Sequence, residues 1–342
     1  DLPRGLLPHS PALYPRAVRS LARLLFAPIT AATLLTSCAG GLTLTTIQET
    51  SSKPSNVALY FRVETDDGEP LPGLEAEQFK IYEDEKLVST YESKQTILNP
   101  EVAAAHYTLL LVDMSGSVAE SDQASAVVEA ASVFSQKVSE NNKVAIYAFD
   151  GSEELYKITP FTDSAGRANS KVESLAGFKP KDPSTNLNGA VVQALAELDA
   201  ALEKEKLPLR FGTLVVFTDG TDRAARVSQQ EMLDAVGNSK YSVFAIGLGG
   251  EIDEEELDGI GRDGTAMAAD KGSVVEAFDG VAARVEKKTR SYYLLSYCSP
   301  ARAQEHVVRI EATTQVETKK GKKKEATGDL TTGFDATGFE PD

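Results

Sequence analysis

Apolar and polar positions change rhythm twice along this chain. Val57–Val63 reads as a strand, and over Phe79-Lys80-Ile81-Tyr82 apolar residues alternate with polar ones; Asp66-Asp67-Gly68 forms a turn signal between them. This predicts a small β unit over residues 56–104. From His106 the alternation stops, because Tyr107-Thr108-Leu109-Leu110-Leu111-Val112 is almost continuously apolar. Such a run suits a strand covered on both faces of a parallel sheet. Val127, Ala131, Phe134 and Val138 then recur at helical spacing. The exchange repeats with strands at 144–149, 213–217 and 242–248, and with helices through Leu187–Leu202, Met232–Val236 and Val274–Val285. Strands alternating with helices predict an α/β fold over residues 105–290, a doubly wound, mostly parallel sheet. Beyond it, Tyr292–Tyr297 and His306–Thr313 read as strands, and Lys319, Lys320, Lys322, Lys323 and Lys324 mark a hairpin tip. Residues 291–342 are expected to pack with the first β unit as a small flanking β domain.

The N-terminus follows different rules. Arg4, Arg16, Arg19 and Arg23 precede an uncharged run from Leu24 to Leu35. That run is shorter than the roughly 20 residues a spanning helix needs and fits the apolar region of an export signal over residues 1–37. The next residues, Leu35-Thr36-Ser37-Cys38, resemble the bacterial lipobox. The resemblance implies lipidation of Cys38 and, with Ala39 rather than Asp following it, an outer-membrane destination. Residues 38–55, rich in Thr, Ser and Gly, read as a lipidated cysteine and flexible tether. With no initiator Met and a Pro-dotted stretch before Arg16, translation is expected to start downstream of residue 1.

Composition narrows the chemistry. The chain has 35 Lys and Arg against 51 Asp and Glu, a net charge of −16. This argues against nucleic acid, whose phosphates are bound by clustered cations. Two cysteines, Cys38 and Cys298, and three histidines, His9, His106 and His306, provide neither a disulfide scaffold nor a thiolate or imidazole zinc motif. Any bound metal is expected on oxygen.

Ligands of doubly wound sheets bind beyond the carboxyl ends of the strands. Asp113 sits there, opening Asp113-Met114-Ser115-Gly116-Ser117, and Asp219 ends Val215-Val216-Phe217-Thr218-Asp219-Gly220. Between them Thr185 opens Thr185-Asn186-Leu187-Asn188-Gly189-Ala190 at the start of an amphipathic helix. The three segments, in this order, resemble the metal-ion-dependent adhesion site of the von Willebrand factor A family. Over residues 105–290 the resemblance implies a family-type, Rossmann-like sheet with a divalent cation at Asp113, Ser115, Ser117, Thr185 and Asp219. It assigns direct contacts to the two serines, a direct or water-bridged one to Thr185, and mainly water-bridged ones to the acids. Mg²⁺ is the foremost candidate, with Mn²⁺ or Ca²⁺ as alternatives. Asp66 to Asp84 is also similar to the β segment that precedes this domain in some bacterial relatives.

A first shell of neutral hydroxyls leaves such an ion electrophilic, so an Asp or Glu of a protein partner is the expected last ligand. The implied function is a lipid-anchored, adhesion-type binding protein; the alternative is an envelope scaffold whose cation is mainly structural. No enzyme is expected. Ser115 and Ser117 lack a Gly-x-Ser-x-Gly setting, and Ser115 stands where an acylphosphate phosphatase needs a second Asp. Plainer readings exist: Ser115, Ser117 and Thr185 as helix caps, Glu251–Asp258 as a solvated first helical turn, and Cys298 as a buried free thiol.

Overall fold

The computed structural model describes residues 41–98, 104–121, 123–250, 252–317 and 321–340. The export signal, Cys38 and the first residues of the expected tether lie outside them.

Six strands make the central sheet: β6 (Ala104–Asp113), β7 (Lys143–Phe149), β8 (Tyr156–Thr162), β9 (Leu209–Thr218), β10 (Ser242–Leu248) and β11 (Gly264–Ala268). Their order is β11-β10-β9-β6-β7-β8. Every pair is parallel except β7 with the edge strand β8. All ten residues of β6 are buried, the later ones under helices on both faces and the first, Ala104 and His106, against residues of β9 and of β12 (Tyr292–Cys298). Leu110 and Val112 join the core under α2 (Gln123–Val138) and α7 (Val274–Thr289). Leu109 and Leu111 point the other way, to α4 (Leu187–Glu203) and α5 (Gln229–Asn238). The fold is therefore the doubly wound α/β arrangement that the unbroken apolar run calls for. Three short helices complete it: α1 (Gly116–Ala119), α3 (Ala165–Val172) and α6 (Glu254–Ile260).

The flanking segments build two antiparallel four-stranded sheets. One has the order β1-β2-β12-β5, from β1 (Leu42–Ser52), β2 (Asn56–Thr65), β5 (Thr96–Leu98) and β12 (Tyr292–Cys298). The other has the order β14-β13-β3-β4, from β3 (Phe79–Glu83), β4 (Lys86–Leu87), β13 (Glu305–Glu317) and β14 (Lys323–Asp335). Leu59, Phe61, Tyr293, Ile81, Ile310 and Phe334 share one core between the sheets. Phe61 meets Phe79 edge-on at 5.6 Å and stacks on Tyr293 at 5.8 Å. The returning β12 lies between β2 and β5, with Leu295 opposite Leu59 and Ile97. The α/β domain is thus an insertion in a β-sandwich.

The tether reading is corrected from residue 42 onward. Leu42 and Leu44 are buried, alternating with exposed Thr43 and Thr45, and the segment pairs with β2 from Leu42–Thr65 to Ser52–Asn56. Its threonines are β-branched strand formers here, not spacer residues. Cys298 is also corrected: it is free but only half-buried, at the end of β12. The acidic run opens α6, where Asp253 accepts the N–H of Glu255 as a cap. The β13–β14 hairpin brings Glu317 opposite Lys323, so Lys322 belongs to its turn. Among the described residues no helix is long and apolar enough to cross a membrane.

Candidate metal centre

Neighbouring parallel strands put their carboxyl ends side by side. Val112 of β6 pairs with Phe217 of β9, so Asp113 and Thr218, one residue further on, emerge together. Asp113 is fully buried. Its Oδ1 accepts the N–H of Ser115 at 2.9 Å, and its Oδ2 accepts the hydroxyl of Thr218 at 2.8 Å. The N–H of Gly220 returns to the Thr218 oxygen at 3.2 Å and shapes the turn just after Asp219.

Ser115 and Ser117 follow at the start of α1. Their hydroxyl oxygens lie 3.3 Å apart, the first buried and the second exposed. Ser115 occupies the cap position of α1, yet its side chain caps nothing. The cap of α4 is Asn186, again without a side-chain bond to the helix, and Thr185 precedes it. The helix-cap reading therefore does not account for the Ser115 hydroxyl or for Thr185.

Backbone hydrogen bonds tie the Thr185 loop to both neighbours. The N–H of Gly116 donates to the carbonyl of Pro183 at 2.9 Å. The carbonyl of Thr185 accepts the N–H groups of Arg223 and Ala224, each at 2.9 Å. The N–H of Asn188 reaches Asp222 Oδ1 at 3.1 Å. The structure so brings the loops of all five residues to one edge of the sheet, with Thr185 5% and Asp219 9% exposed.

Electrostatics mark the same spot. Burial, then the charge of Asp219, push the Asp113 carboxyl up to about 7, against the hydrogen bonds from Ser115 and Thr218. A second acid close enough to raise the proton affinity of Asp113 in a dry site calls for a cation. Among the described residues no group of three or more His, Cys, Asp or Glu is placed to hold a metal. A cation here depends on hydroxyls, and the residues fit one: two carboxylates supply charge, while three hydroxyls supply neutral oxygen. A cavity of about 600 Å³, lined by Glu83, Ser93 and Cys298 among others, lies in the β-sandwich and shares no residue with this centre.

Sequence reasoning gives no site role to Thr218, which lies within the Thr218-Asp219-Gly220 run, or to Asp150, which follows β7. A hydroxyl beside a motif carboxylate was the available signal for the first. For the second, the signal was an acid at the carboxyl end of the adjacent strand.

Residues 108–221 match the family model of the von Willebrand factor type A domain, a stretch that contains all five residues. Over that stretch the chain is similar to a domain of this type. Similar solved structures include a von Willebrand factor type A protein from Catenulispora acidiphila, at 12% identity and a TM-score of 0.46, covering 85% of this chain and 73% of that one. Proximal thread matrix protein 1 of the mussel byssus, with its adhesion-site motif occupied by zinc, is 15% identical with a TM-score of 0.45. That match covers 53% of this chain, which spans only about half (48%) of the mussel protein's length. Manganese-loaded TRAP protein of Plasmodium vivax is 14% identical, covering 73% of this chain and 99% of that one, with a TM-score of 0.45. No curated protein matches the sequence.

Proposed function

We propose that this chain is a metal-ion-dependent protein-binding module of the bacterial cell envelope whose cation captures an acidic side chain of a partner. One observation carries the reading: a buried, proton-hungry Asp113 beside Asp219, with the Ser115 and Ser117 hydroxyls 3.3 Å apart and that of Ser115 engaged in no side-chain cap. Asp113, Ser115, Ser117, Thr185 and Asp219 would hold the ion. Mg²⁺ is the proposed species, since it takes oxygen ligands and retains water, with Mn²⁺ or Ca²⁺ as substitutes. When bound, the ion supplies an electrophilic position for an external carboxylate, and exposed Ser117 marks the side from which that group arrives.

Charge sets the range of recognition. At −16 the chain repels an acidic partner from afar. The ion acts only within a Debye length of about 8 Å at physiological salt, so capture is local and geometric. In the same reading Cys38 bears the lipid anchor, at about 0.8 kcal/mol per buried methylene, and places the module at the outer membrane. Incorporation of labelled fatty acid, lost in Cys38→Ser, tests the anchor.

The functional test is capture of envelope proteins by the chain from Ala39 onward. Capture is expected in Mg²⁺ and not in EDTA, and not by Asp113→Ala in either buffer. Equal capture in both buffers would replace this reading with the scaffold one, in which the cation only braces the loops.

A further inference from the structure

Asp150 follows β7 one strand away from Asp113, and none of its surface reaches solvent. Its Oδ1 accepts the N–H of Ser152 at 2.7 Å. Its Oδ2 accepts the phenol of Tyr156 at 2.9 Å and the N–H of Lys181 at 2.7 Å, with the N–H of Asp182 further off at 3.4 Å. The Asp150 carbonyl takes the N–H of Asn186 at 3.1 Å. One residue therefore holds the 181–186 loop at both ends, by its side chain at the start and by its backbone at the finish.

Between those two anchors lie Pro183, whose carbonyl receives Gly116, and Thr185. Residues 178–186 contain neither helix nor strand, so no regular ladder fixes them. Further bonds brace the same loop. Gly151 N–H donates to the Asp182 carbonyl at 3.0 Å, and Ser184 donates its hydroxyl to Asp182 Oδ1 at 2.7 Å. A Cβ on Gly151 would fall 2.1 Å from the Ser184 hydroxyl oxygen, which shows how closely the two turns approach. Burial raises the proton affinity of Asp150, but the hydrogen bonds, Ser152 foremost, outweigh it and hold the carboxyl below its ordinary range. It is thus a charged acceptor, unlike Asp113, whose carboxyl burial and the Asp219 charge push up.

We propose that Asp150 is the positioning residue of the metal centre: it sets Thr185 against the Ser115–Ser117 loop without itself meeting the ion. This rests on the metal-binding reading above. Outer-shell partners of metal ligands typically change affinity by about 10–100-fold when removed.

The test is a Mn²⁺ titration of the whole chain, paired with tryptic cleavage after Lys181 in EDTA. Asp150→Asn presents an amide N–H₂ where a backbone N–H needs an acceptor. It is expected to weaken Mn²⁺ binding by about 10–100-fold and to speed cleavage after Lys181 with no metal present. Tyr156→Phe deletes a single donor to the same carboxylate, keeps the fold, and is expected to move both readouts less in the same direction. Val285→Ala, a core change in α7, is expected to lower the melting point while leaving both readouts at wild-type values. Unchanged Mn²⁺ affinity in Asp150→Asn, or an equal loss in Val285→Ala, overturns the proposal. If the wild-type chain takes up no Mn²⁺, it is the functional reading that fails; the cleavage rate in EDTA still decides whether Asp150 orders the loop, and an unchanged rate refutes that.

Discussion

The hydroxyl of Thr218 donates to Asp113 Oδ2 across 2.8 Å, linking the last residue of β9 to the last residue of β6. Both groups are fully buried, and the bond favours the ionised form of an acid whose surroundings oppose ionisation. Thr218→Val keeps the shape and deletes the donor. We expect Mn²⁺ affinity to fall by about tenfold and stability by about 1–3 kcal/mol. Calorimetric titration beside denaturant unfolding measures both, and wild-type affinity in the variant would remove Thr218 from the centre.

Asp113→Asn separates a metal ligand from a structural acid. In EDTA the variant should melt at or above wild type, because it relieves repulsion with Asp219. Added Mg²⁺ at 100 times its dissociation constant should stabilise wild type by about 2.7 kcal/mol and the variant not at all. A Mg²⁺-induced rise in the melting point of Asp113→Asn would contradict the assignment.

The junction between domains has its own acid sensitivity. His106 of β6 is buried against Phe211 at 4.9 Å and Tyr292 at 5.7 Å, with no hydrogen-bond partner at Nε2 among the described residues. Burial depresses its pKa from 6.5 to about 4. Between those values the unfolded chain binds a proton that the folded chain refuses, so stability falls as pH drops from 6.5 towards 4. The loss is about 3 kcal/mol at the lower end. Urea midpoints at pH 7 and pH 4.5 should show it, and His106→Phe should remove that part of the slope.

β1 is a structural strand, and two changes probe it. A Cβ on Gly328 of β14 would fall 2.2 Å from the Leu42 carbonyl oxygen, backbone that cannot swing aside. Gly328→Ala is therefore expected to cost about 1–3 kcal/mol. Deleting residues 42–52 should expose the sandwich core and cost much more. A melting curve indistinguishable from wild type after that deletion would restore the tether.

Legibility tracked how local each signal is. The ten buried residues of β6 and the helical spacing through Phe134 follow from burial on both faces, so the α/β core was readable from apolar periodicity alone. Asp113, Ser115, Ser117 and Asp219 stood out because they fall just past buried strands, and Thr185 because it opens an amphipathic helix. β1 was misread because its Leu–Thr alternation is diluted by Ser and Thr, the composition of a linker. β8 carries Pro160, which an edge strand tolerates, and β11 has five residues with one fully buried, so neither announced itself. Asp150 escaped because its importance lies in donors from residues 181 and 182, about thirty positions away, which no local pattern encodes.

The insertion topology has a mechanical consequence. A domain on one linker swivels, and any pull on it runs through a single joint. Here the entering strand and the returning strand sit together, His106 of β6 against Tyr292 of β12, and β12 is laced on both sides to β2 and β5. Tension applied at the metal face is therefore divided between two covalent routes, and the returning one enters a strand held by backbone bonds along both of its edges.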